Sequence, residues 1–143
     1  MTAETYSSEE TFELGKNLGS RAKAGEIYTL TGDLGTGKTV FAQGFAKGLG
    51  ITEYVNSPTF TILQIYEDGR LPLYHFDVYR IEEPEEMEEI GYEDYFFGDG
   101  VTLVEWAELI EELIPNGAHR VVILKDLSKG VDYRRIEIDE TQS

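Results

Sequence analysis

Apolar positions recur along this chain with two different spacings, and the points where one spacing gives way to the other mark its elements. Ser7-Ser8-Glu9-Glu10 has the form of a capping box, and Phe12, Leu18 and Ala22 then share one helical face before the basic Arg21 and Lys23 and the glycine at 25. This pattern predicts a first helix closed by Gly25. A short β-prone run, residues 27–30, enters a glycine-rich stretch, after which Phe41, Phe45 and Leu49 recur at i, i+4 and i+8 up to Gly50. The predicted order is strand, glycine loop, helix. Residues 59–65 and 71–78 favour strand and flank an Asp68-Gly69 turn signal, so they predict a hairpin, with Pro72 placing the start of its second arm at a sheet edge. Residues 82–94 read as a short helix or loop, and residues 101–105 as a buried strand ending on an acid. Leu109, Ile110, Leu113 and Ile114 form a helical stripe stopped by Pro115, and residues 121–124 pair with 133–138 across Ser128-Lys129-Gly130.

Strands alternating with helices imply an α/β domain with a mostly parallel central sheet and an antiparallel hairpin at its edge. The 143 residues suit one domain covering residues 1–143. Charge and composition narrow the chemistry. Twelve Lys and Arg against twenty-eight Asp and Glu leave a net charge of −16, which argues against direct grip on nucleic acid. With 41% hydrophobic residues, nine Tyr and seven Phe, the chain is too apolar to remain disordered. No cysteine and only two His exclude thiolate and imidazole metal cages, so any metal must be held by oxygen. An acidic opening decapeptide and a longest aliphatic run of Val121-Val122-Ile123-Leu124 predict a soluble cytoplasmic protein with no membrane partner.

Gly32-Asp33-Leu34-Gly35-Thr36-Gly37-Lys38-Thr39 is the phosphate-loop pattern G-x4-G-K-[ST], set between the expected strand and helix. Its glycines let backbone N–H groups turn inward around an anion, Lys38 supplies a point charge, and the Thr39 hydroxyl suits a magnesium ion. The expected nucleotide contacts are Asp33, Leu34, Gly35, Thr36, Gly37, Lys38, Thr39 and Val40. The fold class this implies is a P-loop NTPase-like three-layer sandwich. Such a site needs a carboxylate at the end of another central strand, and Glu105 closes residues 101–105. Thr59, in Ser57-Pro58-Thr59-Phe60, suits a switch residue sensing the γ-phosphate. In His75-Phe76-Asp77-Val78-Tyr79-Arg80 the alternation puts His75, Asp77 and Tyr79 on one face. Asp77 is the candidate for ordering the attacking water and Arg80 for charge neutralisation or partner contact, whereas His75 and Tyr79 read as a solvent-facing strand side. Trp106, the only tryptophan, falls beside the nucleotide or under a partner. Ser128 and Lys129 fit a loop that contacts the base. The eight acids within residues 82–94 read as a solvated face.

Taken together, the glycine loop, Ser57-Pro58-Thr59-Phe60, His75-Phe76-Asp77-Val78-Tyr79-Arg80 and Val104-Glu105-Trp106 resemble, in order, the signatures of the bacterial TsaE (YjeE) family, from about residue 5 to about residue 124. That resemblance implies a small ATPase of tRNA threonylcarbamoyladenosine synthesis, with ATP and magnesium as cofactors. Lys38 would bind phosphate, Thr39 and Glu105 would serve magnesium, Thr59 would be a switch residue, and Asp77 and Trp106 would support hydrolysis or docking. It further implies a TsaD–TsaB complex as partner, with tRNA met only through that complex. Two alternatives remain open: a GTPase-like switch, or a nucleotide-dependent docking module with negligible turnover. The guanine-reading motif of GTPases is missing, since the nearest stretch is Leu124-Lys125-Asp126-Leu127.

Overall fold

Two strands with almost no solvent-facing positions form the centre of the molecule: β2 (Ile27–Thr31) and β5 (Val101–Glu105). Continuous burial of this kind belongs to parallel strands covered on both faces, and in the computed structural model, which describes residues 1–32, 37–56 and 61–139, these two pair in parallel with Leu30 opposite Glu105. The other strands are β1 (Thr2–Thr5), β3 (Leu63–Tyr66), β4 (Leu73–Asp77), β6 (His119–Lys125) and β7 (Arg134–Asp139). Among the described residues they form one seven-stranded sheet in the order β1-β7-β6-β2-β5-β4-β3. The four inner strands β6, β2, β5 and β4 are mutually parallel. Antiparallel pairs flank them on both sides, β3 on β4 at one edge and β7 with β1 beyond β6 at the other.

Alternation along the inner strands sends side chains into two separate cores. On one face Tyr28, Leu30, Leu103, Val121 and Ile123 meet the helices α1 (Ser8–Arg21) and α2 (Lys38–Gly48) through Leu18, Phe41 and Phe45. On the other, Ile27, Phe76 and Val104 meet the short helices α3 (Glu86–Ile90) and α4 (Tyr92–Phe96) and a 3-10 segment, Ala107–Leu113, through Met87, Phe96 and Ile110. This is the expected three-layer arrangement. The helices α1 and α2 touch backbone to backbone: a β-carbon on Gly44 would lie 2.1 Å from the Phe12 carbonyl oxygen, and one on Gly19 2.1 Å from that of Phe45. No helix among the described residues is long and apolar enough to cross a membrane.

Several expectations need correction. Ser7 caps α1 by accepting from the Glu10 N–H at 3.2 Å, but the Glu10 carboxylate accepts from Tyr6, one residue before the cap. The helix ends at Arg21, and Gly25 lies in the following turn at φ +85, donating its N–H to Gly100. Pro72 does not mark an edge, because β4 lies between β5 and β3; the proline's missing donor is harmless where it stands, just before the strand, and its carbonyl accepts from Val101. The stripe after residue 106 is 3-10 rather than α, broken at Ile110 (φ −129, ψ 34), which leaves Leu109 exposed and Ile110 buried. The strand β1 had no alternating apolar face to announce it and is ordered by pairing with β7.

Arg70, in the turn of the β3–β4 hairpin, fastens that turn to the helices. Its guanidinium donates to the carbonyls of Gly19, Ser20 and Ala22 at 2.7–3.0 Å, where the last turn of α1 has carbonyls without intrahelical partners. Its own N–H donates to Leu49 at the end of α2.

Candidate functional site

The glycine loop passes into α2 at Gly37, whose φ of +95 lies in the left-handed region open to glycine. Asp33, Leu34, Gly35 and Thr36, and the segment Ser57-Pro58-Thr59-Phe60 with the candidate switch Thr59, lie outside the described residues. Beyond Gly37 the helix begins at Lys38, a largely buried side chain, followed by an exposed Thr39 and a half-buried Val40. The Lys38 ammonium donates to the Gly32 carbonyl at 2.7 Å and sits 3.8 Å from the centroid of the Trp106 ring. Among its contacts with the described residues are this carbonyl and the indole face, the latter worth about 0.5–2 kcal/mol.

Trp106 follows Glu105, the last residue of β5, and turns into the left-handed region at φ +64. A non-glycine residue there costs of order 1–3 kcal/mol and persists only where surrounding contacts impose it. The second such residue among those described, Ile62 at φ +67, accepts the Asp77 N–H at 2.8 Å. Both strained positions therefore border the two carboxylates at the carboxyl ends of β4 and β5. Asp77 and Glu105 are direct neighbours in the parallel register, and both are almost fully buried. Asp77 accepts from the Tyr79 N–H at 3.0 Å.

His75 was expected to face solvent. It is buried, because β4 is an interior strand whose His75–Asp77 side shares the face of Leu73 and Leu103 in the α1–α2 core, and its Nε2 is 2.6 Å from Glu105 Oε2. Tyr79 lies past the end of β4, half exposed, with its ring 4.7 Å from that of Trp106. Arg80 is exposed in the same turn. Lys38, Asp77, Glu105 and Trp106 are thus brought to one end of the sheet.

Magnesium fits this donor set. The ion is usually held by one or two carboxylates, with the rest of its octahedron filled by phosphate oxygens and water. Thr39 is accessible at the start of α2, and Glu105 carries one carboxylate oxygen that no hydrogen bond occupies among the described residues. Two adjacent buried carboxylates also favour a nearby cation. The described residues contain no cluster of three or more His, Asp or Glu that could hold a metal ion.

The two proposed base contacts are engaged locally. Ser128 donates its N–H and hydroxyl to Asp126 Oδ1, holding that carboxyl below its ordinary pKa, and Lys129 lies 3.6 Å from Glu4 and over the Tyr133 ring. The side chain from this region that reaches the glycine loop is Arg134, whose Nε lies 3.9 Å from the place a β-carbon on Gly37 would take. Nothing local in the sequence singles it out, since only the β6–β7 pairing carries it there.

The family model for "Threonylcarbamoyl adenosine biosynthesis protein TsaE" matches residues 5–136. Among curated proteins, the Bacillus subtilis (strain 168) tRNA threonylcarbamoyladenosine biosynthesis protein TsaE is 54% identical over 132 residues, 92% of this chain and 80% of that one. The protein of the same name from Treponema pallidum is 41% identical, covering 80% of this chain and 84% of its own. The crystal structure of Bacillus subtilis YdiB superposes with a TM-score of 0.83 at 45% identity, covering 99% of this chain and 86% of that one. With a match that includes the glycine loop, both carboxylate strands and Trp106, the chain belongs to the TsaE family of tRNA threonylcarbamoyladenosine biosynthesis proteins.

Proposed function

We propose that this chain is a magnesium-dependent ATP-binding and ATP-hydrolysing subunit that serves a TsaD–TsaB complex in threonylcarbamoylation of adenosine 37 of tRNA. The observation that carries the reading is the convergence of Lys38 with Asp77 and Glu105 at the carboxyl ends of parallel strands, next to the glycine loop. Lys38 exchanges its contact with Gly32 for a phosphate oxygen and offsets charge on the transferring group. Thr39 and Glu105 would hold a magnesium ion, whose chemistry there would be to offset negative charge on the phosphoryl group. Asp77, or a group supplied by the partner, orients the attacking water. The glycine loop with Arg134 beside it cradles the phosphates, and the loop of Ser128 and Lys129 lies toward the base. A net charge of −16 suits a position beside an RNA-handling enzyme, with tRNA met only through that enzyme. Half-exposed Tyr79, tilted against the Trp106 ring, and exposed Arg80 supply a partner contact next to the nucleotide.

Steady-state MgATP hydrolysis, measured alone and with the TsaD–TsaB complex, tests the reading with Lys38→Ala as the blank. Stimulated turnover in the native chain that falls to the blank in the variant is the expected result. Tight nucleotide binding without turnover in either condition would replace it with a nucleotide-dependent docking module. GTP bound well above ATP would replace it with a GTPase-like switch.

A further inference from the structure

Glu105 receives a hydrogen bond from one side chain among the described residues, and that side chain is His75. Both are enclosed, at 1% and 4% side-chain exposure, with Nε2 and Oε2 2.6 Å apart. The other ring nitrogen, Nδ1, is buried and meets no partner among the described residues. A proton on Nδ1 would be a buried donor with nothing to accept it, whereas a bare Nδ1 leaves only an unfilled lone pair. The ring therefore carries its proton on Nε2 and donates it to Glu105.

The register explains why this pair forms. Asp77 lies opposite Glu105, and His75 lies opposite Leu103, two residues back on the same face. The Glu105 side chain folds back over β4 and comes to rest on the imidazole. A glutamate has three rotatable bonds and loses considerable freedom when fixed, so a carboxylate required in one orientation needs a rigid donor behind it.

We propose that His75 is a positioning residue for Glu105: its Nε2–H fixes Oε2 and the plane of the carboxylate, leaving Oε1 as the oxygen presented to magnesium or its water. This rests on the reading of the site as a magnesium-dependent ATPase. Without the donor, the carboxylate is released next to Lys38, whose ammonium lies over the ring of the very next residue, Trp106. A Glu105 carboxylate free to turn would no longer present Oε1 in a fixed direction.

Three variants and one spectrum test this. His75→Leu removes the donor, His75→Gln puts an amide N–H where imidazole Nε2 stands, and His75→Asn offers an amide too short to reach Glu105. The expected loss in kcat for MgATP with the TsaD–TsaB complex is roughly ten- to hundredfold for His75→Leu and His75→Asn. KM, and MgATP affinity by calorimetry, should stay within about threefold, and His75→Gln should recover most of the rate. Long-range 15N correlation spectra of the unmutated protein should show a protonated Nε2 and a bare Nδ1. A native rate in His75→Asn, a His75→Gln as slow as His75→Asn, or a proton on Nδ1 overturns the proposal. If His75→Leu does not fold, the Gln and Asn pair still decides it. Unmutated turnover no higher than that of Lys38→Ala overturns the ATPase reading and this role with it, and the unmutated rate tells that failure from failure of the positioning role alone.

Discussion

The molecule contains the same motif twice, at opposite ends of its parallel strands. At the amino end His119, the first residue of β6, meets Glu26 at 2.9 Å; at the carboxyl end His75 meets Glu105 at 2.6 Å. Each imidazole uses Nε2, and each Nδ1 is buried without a partner among the described residues. The difference lies in the carboxylates. Glu26 is saturated: it also accepts from the Lys23 N–H at 2.6 Å and the Tyr28 hydroxyl at 3.0 Å, and the His119 ring stacks on Tyr28. Among the described residues Glu105 has His75 alone as hydrogen-bond partner, with a second carboxylate beside it and a strained residue after it. A buried His–Glu pair is therefore no sign of chemistry by itself. Under the proposed function the unfilled oxygen marks the working end of the sheet, whereas the filled one marks a joint between the β2 and β6 strand starts.

Substitutions at the two ends should separate these roles. The largest effect is expected for Glu105→Gln, which keeps an acceptor for His75 and removes the charge: turnover should fall about hundredfold or more while MgATP affinity, read by calorimetry, changes little. Equal losses in both would make Glu105 a binding group and weaken the contrast. Next, Glu26→Ala strands the Lys23 N–H and His119 and should cost about 1–3 kcal/mol, seen as a thermal midpoint lower by several degrees with kcat unchanged. A loss of turnover matching that of Glu105→Gln, in protein that remains folded, would break the comparison. Smaller again, Tyr28→Phe removes one neutral donor to Glu26 and should cost about 0.5–1.5 kcal/mol in chemical denaturation, again without kinetic effect.

The smallest effect concerns a third carboxylate, at the sheet edge. Glu4 is held below its ordinary pKa first by the Tyr133 hydroxyl and then by Lys129. A carboxyl lowered by folding stabilises the fold above its unfolded value, and the contribution fades as pH falls through the depressed value. Carboxyl titration by NMR should show Glu4 titrating low, and Tyr133→Phe should move it back toward the ordinary value.

Much of this arrangement is legible in the residues. The strand before the glycine-rich stretch and the helix after it, both hairpins and the acid closing β5 follow from local spacing, and the structure places them as expected. What local spacing does not carry is adjacency between distant strands. His75 reads as solvent-facing because alternation shows which residues share a face but not what covers it; only the order β2-β5-β4-β3 makes β4 interior and brings Glu105 onto His75. Arg134 was missed for the same reason. The apolar stripe at residues 109–114 misled differently, since a run of seven residues buries Ile110 equally well in a 3-10 segment. The candidates Asp33 to Thr36 and Thr59 rest on pattern alone, outside the described residues.

Arg70 gives the β3–β4 hairpin the character of a brace. Its turn is pinned to the carboxyl ends of α1 and α2, while Asp77 rides at the opposite tip. With eleven residues, α2 is a stiff rod of about 16 Å, and Lys38 is at its far end from the pin. Asp77 is itself held in the sheet, opposite Glu105 in the parallel register and donating its N–H to Ile62. The hairpin therefore ties the carboxyl ends of both helices to the strand end that carries Asp77, so one continuous framework sets where Asp77 and Lys38 stand.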